Sequence, residues 1–200
     1  MNAWRLALIT APAAEPLSRA DLQMHCRLSG AEVDAQSDSI IRKLKAAREA
    51  CERVTGRQLI TATWELRLDE FPDGESDFVV DGEDIVLPLP PLQSVTSIKY
   101  LDEDNVEQTL SSSYYVAEPA GPTERSRIVL AEGCTWPSTY EAPGAVRIRF
   151  IAGYGTAGSS VPAELLESIL DYAAASYVTC EMSVPRMRAA RSVWASWVAA

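Results

Sequence analysis

The sequence holds one histidine, His25, and four cysteines, Cys26, Cys51, Cys134 and Cys180, with no CxxC pair among them. A single histidine excludes multi-histidine metal centres and leaves one candidate base for a Ser-His-Asp arrangement. The cysteine spacing gives no support to zinc or redox chemistry. A disulfide framework is not expected in a chain of this size without a secretory signal. No apolar run approaches the roughly 18–20 residues of a membrane span. The apolar stretch Leu6–Ile9 falls short of the roughly 7–15 residues of a signal h-region, so an unprocessed product of the cytoplasm is expected. No G-x-S-x-G, Walker A or H-E-x-x-H pattern occurs. The residues offer no catalytic constellation, so neither an enzyme nor a bound cofactor or metal is expected.

Basic residues are missing from Arg67 to Lys99, an interval that holds Asp69, Glu70, Asp73, Glu75, Asp77, Asp81, Glu83 and Asp84. The whole chain carries a formal net charge of −10, which argues against gripping nucleic acid by its phosphates. The acidic run reads first as a solvated loop and second as a surface that repels passing DNA. Acids are missing in turn after Glu181, where the tail contains Arg186, Arg188, Arg191, Trp194 and Trp197. Two readings of that tail stay open. The tryptophans pack back onto the body, or they anchor a partner, since Trp and Arg dominate interface hot spots. Membrane insertion is disfavoured for so short a basic segment.

An apolar content of 47% with 23% charge fits a globular chain, and 200 residues suffice for one domain or a core with an insert. Ser18 can cap a short helix, with Asp21 at N3 and Leu17 set to staple onto Leu22. That helix is expected to reach about Leu28 and to be released at Ser29-Gly30. From Ser37, the positions Ile40, Leu44, Ala47, Cys51 and Val54 recur at four-and-three spacing and predict a helix ending near Thr55. Cys51 continues its stripe as a small hydrophobe. Arg42, Lys43, Lys45, Arg48, Glu49 and Arg53 fill its other faces, solvated or docked against an acidic partner. Gly56 supplies the left-handed close.

The period then switches to two. Ala62, Trp64, Leu66 and Leu68 alternate with Thr63, Glu65 and Arg67, the pattern of a half-buried strand. Phe71-Pro72-Asp73-Gly74 is a turn, and short strands are expected at Ile85–Leu87, Val95–Leu101, Tyr114–Val116, Ile128–Leu130 and Val146–Phe150. Short strands divided by Pro, Gly and Asp turns predict a small antiparallel sheet or sandwich. A last main helix opens at Pro162 and presents Leu165, Leu166, Ile169, Leu170, Ala173, Ala174 and Tyr177. Gly153-Tyr154-Gly155-Thr156-Ala157-Gly158 matches G-x-G-x-x-G. A dinucleotide site would need a second parallel strand ending in an acid about 20 residues on, and that interval is helical, so a hinge is the favoured reading.

The expected architecture is α+β. N- and C-terminal helices form a small bundle, and a central antiparallel β module is inserted between them. The parts are a helical segment over 1–58, a β-rich insert over 59–152, a helix over 153–182 and a basic, tryptophan-bearing tail over 183–200.

Several motifs in this order resemble the head–tail connector (adaptor) proteins of long-tailed phages and prophages. They are Glu15-Pro16-Leu17-Ser18, Thr55-Gly56-Arg57-Gln58-Leu59-Ile60-Thr61-Ala62-Thr63-Trp64, and Leu87-Pro88-Leu89-Pro90-Pro91-Leu92-Gln93-Ser94-Val95-Thr96-Ser97-Ile98-Lys99-Tyr100. Pro143-Gly144-Ala145-Val146-Arg147-Ile148-Arg149-Phe150, Ala152-Gly153-Tyr154-Gly155 and Val161-Pro162 continue the series. A gene-transfer-agent particle would share them. The resemblance implies a virion protein at the head–tail junction. It forms a homo-oligomeric ring, commonly of twelve, between the portal and a tail-completion or stopper protein. DNA passes through its channel without specific binding, and no membrane is involved. The tail would reach the portal through Arg186, Arg188, Arg191, Trp194 and Trp197; separately, the segregation of charge makes the basic face of the Ile40–Val54 helix, with Arg42, Lys43 and Lys45, the candidate contact with an acidic face of the neighbouring subunit. Removing Arg186–Ala200 is then expected to leave a folded body. A tail-tube or baseplate component is the alternative, and a nucleotide-binding enzyme a more distant one.

Overall fold

The computed structural model describes residues 4–28, 37–73, 80–81, 83–119, 124–177 and 183–198. The chain divides into two compact units, a sheet unit of residues 1–11 and 61–153 and a helical unit of 12–60 and 154–199. The fold is α+β with antiparallel sheets, in line with the alternating patterns of the middle of the chain.

In the helical unit, α1 (Arg19–Cys26) starts with the expected capping box. The Ser18 Oγ accepts from the Asp21 N–H at 3.3 Å, and the Asp21 carboxylate accepts from the Ser18 N–H at 2.6 Å. The helix closes at Arg27, which takes the left-handed conformation at φ 54°, a residue or so earlier than expected; the release at Ser29-Gly30 lies outside the described residues. Helix α2 (Ser37–Thr55) buries Ile40, Leu44, Ala47 and Cys51, with Val54 half-buried. The side chain of Ser37 lies outside the described residues. Gly56 follows at φ 66°, where a Cβ would be strained. Helix α3 (Ala163–Tyr177) buries Leu165, Ile169, Leu170, Ala173 and Ala174 in the same core.

The tail is not a free segment. Residues Ser183–Ser196 form helix α4, and Ala190 and Trp194 enter the core of the helical unit. Pro185 sits in its first turn, where a missing N–H costs no intrahelical bond.

The sheet unit is a sandwich. One sheet has the order β1-β2-β9-β5-β6, from Trp4–Thr10, Ala62–Leu68, Val146–Ala152, Leu92–Leu101 and Glu107–Thr109. The other has the order β3-β4-β8-β7, from Val80–Asp81, Asp84–Leu87, Ser126–Leu130 and Tyr115–Glu118. Leu66, Leu68, Ile98, Val146, Ile148 and Phe150 of the first meet Ile85, Leu87 and Ile128 of the second in one apolar cluster. Phe71 stacks on Trp136 there with ring centroids 4.8 Å apart.

One expectation is corrected at the start of the chain, where residues 4–10 are a strand and not part of a helical segment. Among the described residues this strand pairs with β2 alone, no residue of it is fully buried, and its sequence lacks a clean alternation. Pairing with residues nearly sixty positions away decides its conformation, and no local pattern reports that.

Candidate assembly surfaces

Trp194 is fully buried, and its indole Nε1–H donates to the Ser168 Oγ at 2.8 Å. Ser168 is itself buried and donates to the Leu165 carbonyl at 2.8 Å, so both polar groups are satisfied. The ring also lies 5.0 Å from that of Tyr172. Trp197 is half-buried, and its Nε1–H donates to Glu164 Oε2 at 3.0 Å. Arg57, fully buried, holds the same turn of chain. Its Nε donates to the Trp197 carbonyl at 2.7 Å, its Nη1 donates to the Tyr154 hydroxyl at 3.3 Å, and its guanidinium lies 5.6 Å from the Trp197 ring.

The two tryptophans therefore pack onto their own body, the first of the two readings of the tail, and Trp194 has no exposed surface in the single copy. The cause is energetic, since a fully buried indole with a satisfied N–H is far more stable than an exposed one. Arg186, Arg188 and Arg191, by contrast, are exposed along α4. Arg57 was visible only as part of a motif; no rule of spacing marks a buried arginine that seats a carbonyl 140 residues away.

The expected basic face of α2 is interrupted. Arg42 and Lys45 are exposed, and Lys45 lies 4.0 Å from Glu49. Lys43 donates to the Ser176 carbonyl at the end of α3. Arg48 turns inward to pair with Glu15 at 2.7 Å and with Glu52. Glu52 in turn accepts from the Leu59 N–H at 3.1 Å and from Gln58 Nε2 at 2.9 Å, which fixes the chain after Gly56. Burial, with Glu52 beside it, pushes the Cys51 thiol up to about 12, as suits a packed rather than a reactive cysteine.

The glycine-rich segment has a packing reason of its own. A Cβ on Gly158 would stand 1.9 Å from the Pro16 carbonyl oxygen, which only glycine permits. His25 lies 3.2 Å from Asp171 and 4.0 Å from Glu167 on α3, and among the described residues no group of His, Cys, Asp and Glu is arranged to hold a metal ion.

In the acidic run, Asp69 pairs with Arg5 at 2.6 Å and accepts from the Gly144 N–H at 2.7 Å, and Asp84 lies 3.5 Å from Arg127. Glu70, Asp73 and Glu83 are exposed. Glu75, Asp77 and the side chain of Asp81 lie outside the described residues.

The strongest concentration of charge was not foreseen. On the five-stranded sheet Arg5 faces Arg67, Arg67 faces Arg147 and Arg147 faces Lys99, so four cations line up across four adjacent strands. The neighbouring row brings Glu65 opposite Arg149 and Arg149 opposite Ser97. Glu65 accepts from Arg67 at 2.8 Å and from Arg149 at 2.9 Å, while Glu107 pairs with Lys99 at 2.7 Å and with Arg147. A notch of about 80 Å³ opens among Glu65, Ser97, Lys99, Arg147 and Arg149.

No described helix is long and apolar enough to cross a membrane. No protein-family model matches the chain, and no curated protein matches it. Solved structures do. A chain from "Neck of empty GTA particle computed with C6 symmetry" is 25% identical with a TM-score of 0.77, over 98% of this chain and 96% of that one. A chain from "Virion of native gene transfer agent (GTA) particle" is 24% identical with a TM-score of 0.77, over 98% and 95%. A chain from "Neck of native GTA particle computed with C12 symmetry" is 21% identical with a TM-score of 0.68, over 98% and 96%. The likeness spans both units, and the motifs read in the sequence also fall in both. The resemblance to head–tail connectors and the likeness to gene-transfer-agent necks agree along nearly the whole chain, and the molecule has the build of a connector-type protein of such particles.

Proposed function

We propose that the chain is a structural adaptor of a phage-like particle. Copies form a ring, twelve in number, between the portal and a tail-completion or stopper protein, and extend the channel through which DNA leaves the head. The observation that supports this most is the end-to-end likeness to a chain of a gene-transfer-agent neck. The C6 and C12 symmetries in the names of those neck structures fit a ring closed by heterologous contacts. The role is mechanical and calls for no catalytic residue or cofactor.

In this reading the exposed Arg186, Arg188 and Arg191 of α4 face the portal, and Trp194 and Trp197 hold that helix in place rather than entering the partner. Arg42 and Lys45 belong to the contact between copies, with Lys43 engaged by the end of α3. The helical unit of 12–60 and 154–199 then serves as the ring, with helix α4 as its portal-docking segment, and the sheet unit serves as the insert. The test is electron microscopy of particles from cells lacking this chain. Filled heads without tails, and restoration of neck density when the chain is supplied, are the expected result. Tailed, DNA-retaining particles in its absence would overturn the reading.

A further inference from the structure

Like charges directly opposite one another on a sheet are destabilising. The row Arg5–Arg67–Arg147–Lys99 sets three such pairs side by side. At a strand separation of about 4.8 Å, four cations fall within roughly 14 Å. The chain is acidic overall, so this row is not a consequence of composition. Within the copy it is only partly relieved. Glu65 and Glu107 each serve two cations, so Arg67, Arg147, Arg149 and Lys99 face two carboxylates, a formal surplus of two positive charges around the notch. Arg67, Lys99 and Arg149 keep 46%, 44% and 45% of their side chains exposed, so the surplus is presented outward. A local rule broken at a cost to the free subunit points to a gain on assembly.

We propose that this row is a docking surface for carboxylates of a second copy of the same chain, and that the acidic β5–β6 turn of that copy is what it receives. The proposal rests on the ring reading above and supplies the two unlike surfaces that such a ring needs, the row and the turn. The turn has the matching character. Asp102 Oδ1 accepts from the N–H groups of Asp104 at 3.1 Å and Val106 at 2.9 Å, and Oδ2 accepts from Gln108 Nε2 at 2.8 Å. These bonds fix the backbone, and Glu103 and Asp104 stand exposed on it. A pre-ordered acidic tip loses little entropy on docking. Its two carboxylates match the surplus of the row. The row's affinity for carboxylates already operates within one copy, through Glu107 on β6. Nucleic acid is disfavoured as the occupant, because Glu65, Glu107 and Asp69 stand among the cations and repel phosphates.

The experiment is a charge exchange on the full chain, read as self-association by light scattering at low salt, where screening is weak. R67E/R147E and E103K/D104K are each expected to weaken association about tenfold or more, since like-charge juxtaposition at an interface costs several kcal/mol. An equimolar mixture of the two is expected to restore it, because every contact in an alternating assembly again joins opposite charges. R67Q/R147Q guards against misfolding; it should lose association while still unfolding in one cooperative thermal transition, because Glu65 keeps Arg149 and Glu107 keeps Lys99 when the two arginines are neutralised. Association unaffected by R67E/R147E, a mixture of folded variants that fails to recover, or a wild type that stays monomeric at millimolar concentration would each overturn the proposal. So would tight duplex-DNA binding that R67Q/R147Q abolishes, which would give the row to nucleic acid. Particle microscopy without the chain judges the adaptor reading separately, so either can fail while the other stands.

Discussion

Glu65 is 5% exposed on a strand position that the period-two pattern assigns to solvent. Burial alone would raise its carboxyl, but hydrogen bonds from Arg149 and Arg67 outweigh that and hold it below the usual range. A carboxylate lowered in the fold contributes stability that is present above its unfolded pKa, about 4.3, and is lost as pH falls through the folded value. Glu65→Gln should therefore cost about 1–3 kcal/mol at neutral pH, the usual range for a buried charged hydrogen bond. The variant should also lose less of its remaining stability than the wild type as pH drops below about 4.3. Urea unfolding from neutral pH to pH 3 measures both. Parallel stability curves for the two proteins would contradict the assignment. Trp194 carries a related lesson, since a residue type favoured at interfaces is favoured in cores for the same area of ring.

At the scale of elements, helix α4 is the part whose role changes most. Removing Arg186–Ala200 takes Ala190 and Trp194 out of the core and strips the buried Arg57 of the Trp197 carbonyl and ring. Losing one core tryptophan costs about 3–5 kcal/mol, and the loss of one of the acceptors of a buried cation adds to that. Against a total stability of about 5–15 kcal/mol, the truncated chain should not keep a cooperatively folded helical unit, contrary to the expectation from sequence. Loss of near-ultraviolet circular dichroism and rapid proteolysis within 12–60 are the expected signs; a sharp transition at the wild-type midpoint would refute them. Elements with strong periods were legible. Helix α2, β2, β9 and α3 lie within a residue or two of where the spacing puts them. Helix α4 was not, because among its described residues only Ala190 and Trp194 are buried, one i,i+4 pair, while Val184, Ala189 and Ala195 are exposed, so its apolar residues form no stripe. The row of cations was not legible either. Positions 5, 67, 99 and 147 become neighbours only once the strand order and register are known.

For the molecule as a whole, the proposed adaptor role raises the question whether an acidic chain with this basic row would hold DNA that such a ring has to let pass. The net charge of −10 repels a polyanion over any distance the ionic atmosphere leaves unscreened. At contact, the row offers at most Arg5, Arg67, Arg147 and Lys99 to phosphates, with Asp69, Glu65 and Glu107 among them. Four phosphate contacts would give a slope of about −3.6 in log affinity against log salt, so whatever binding occurs at low salt collapses at physiological ionic strength. Nonspecific affinities of cationic proteins are typically 10⁻⁴–10⁻⁶ M there, and an acidic one should fall at or beyond the weak end of that range. The expected result is no change in the anisotropy of a labelled duplex at low micromolar protein and about 0.15 M salt. Submicromolar, salt-dependent binding would contradict the expectation, and its loss in R67Q/R147Q would assign that binding to the row.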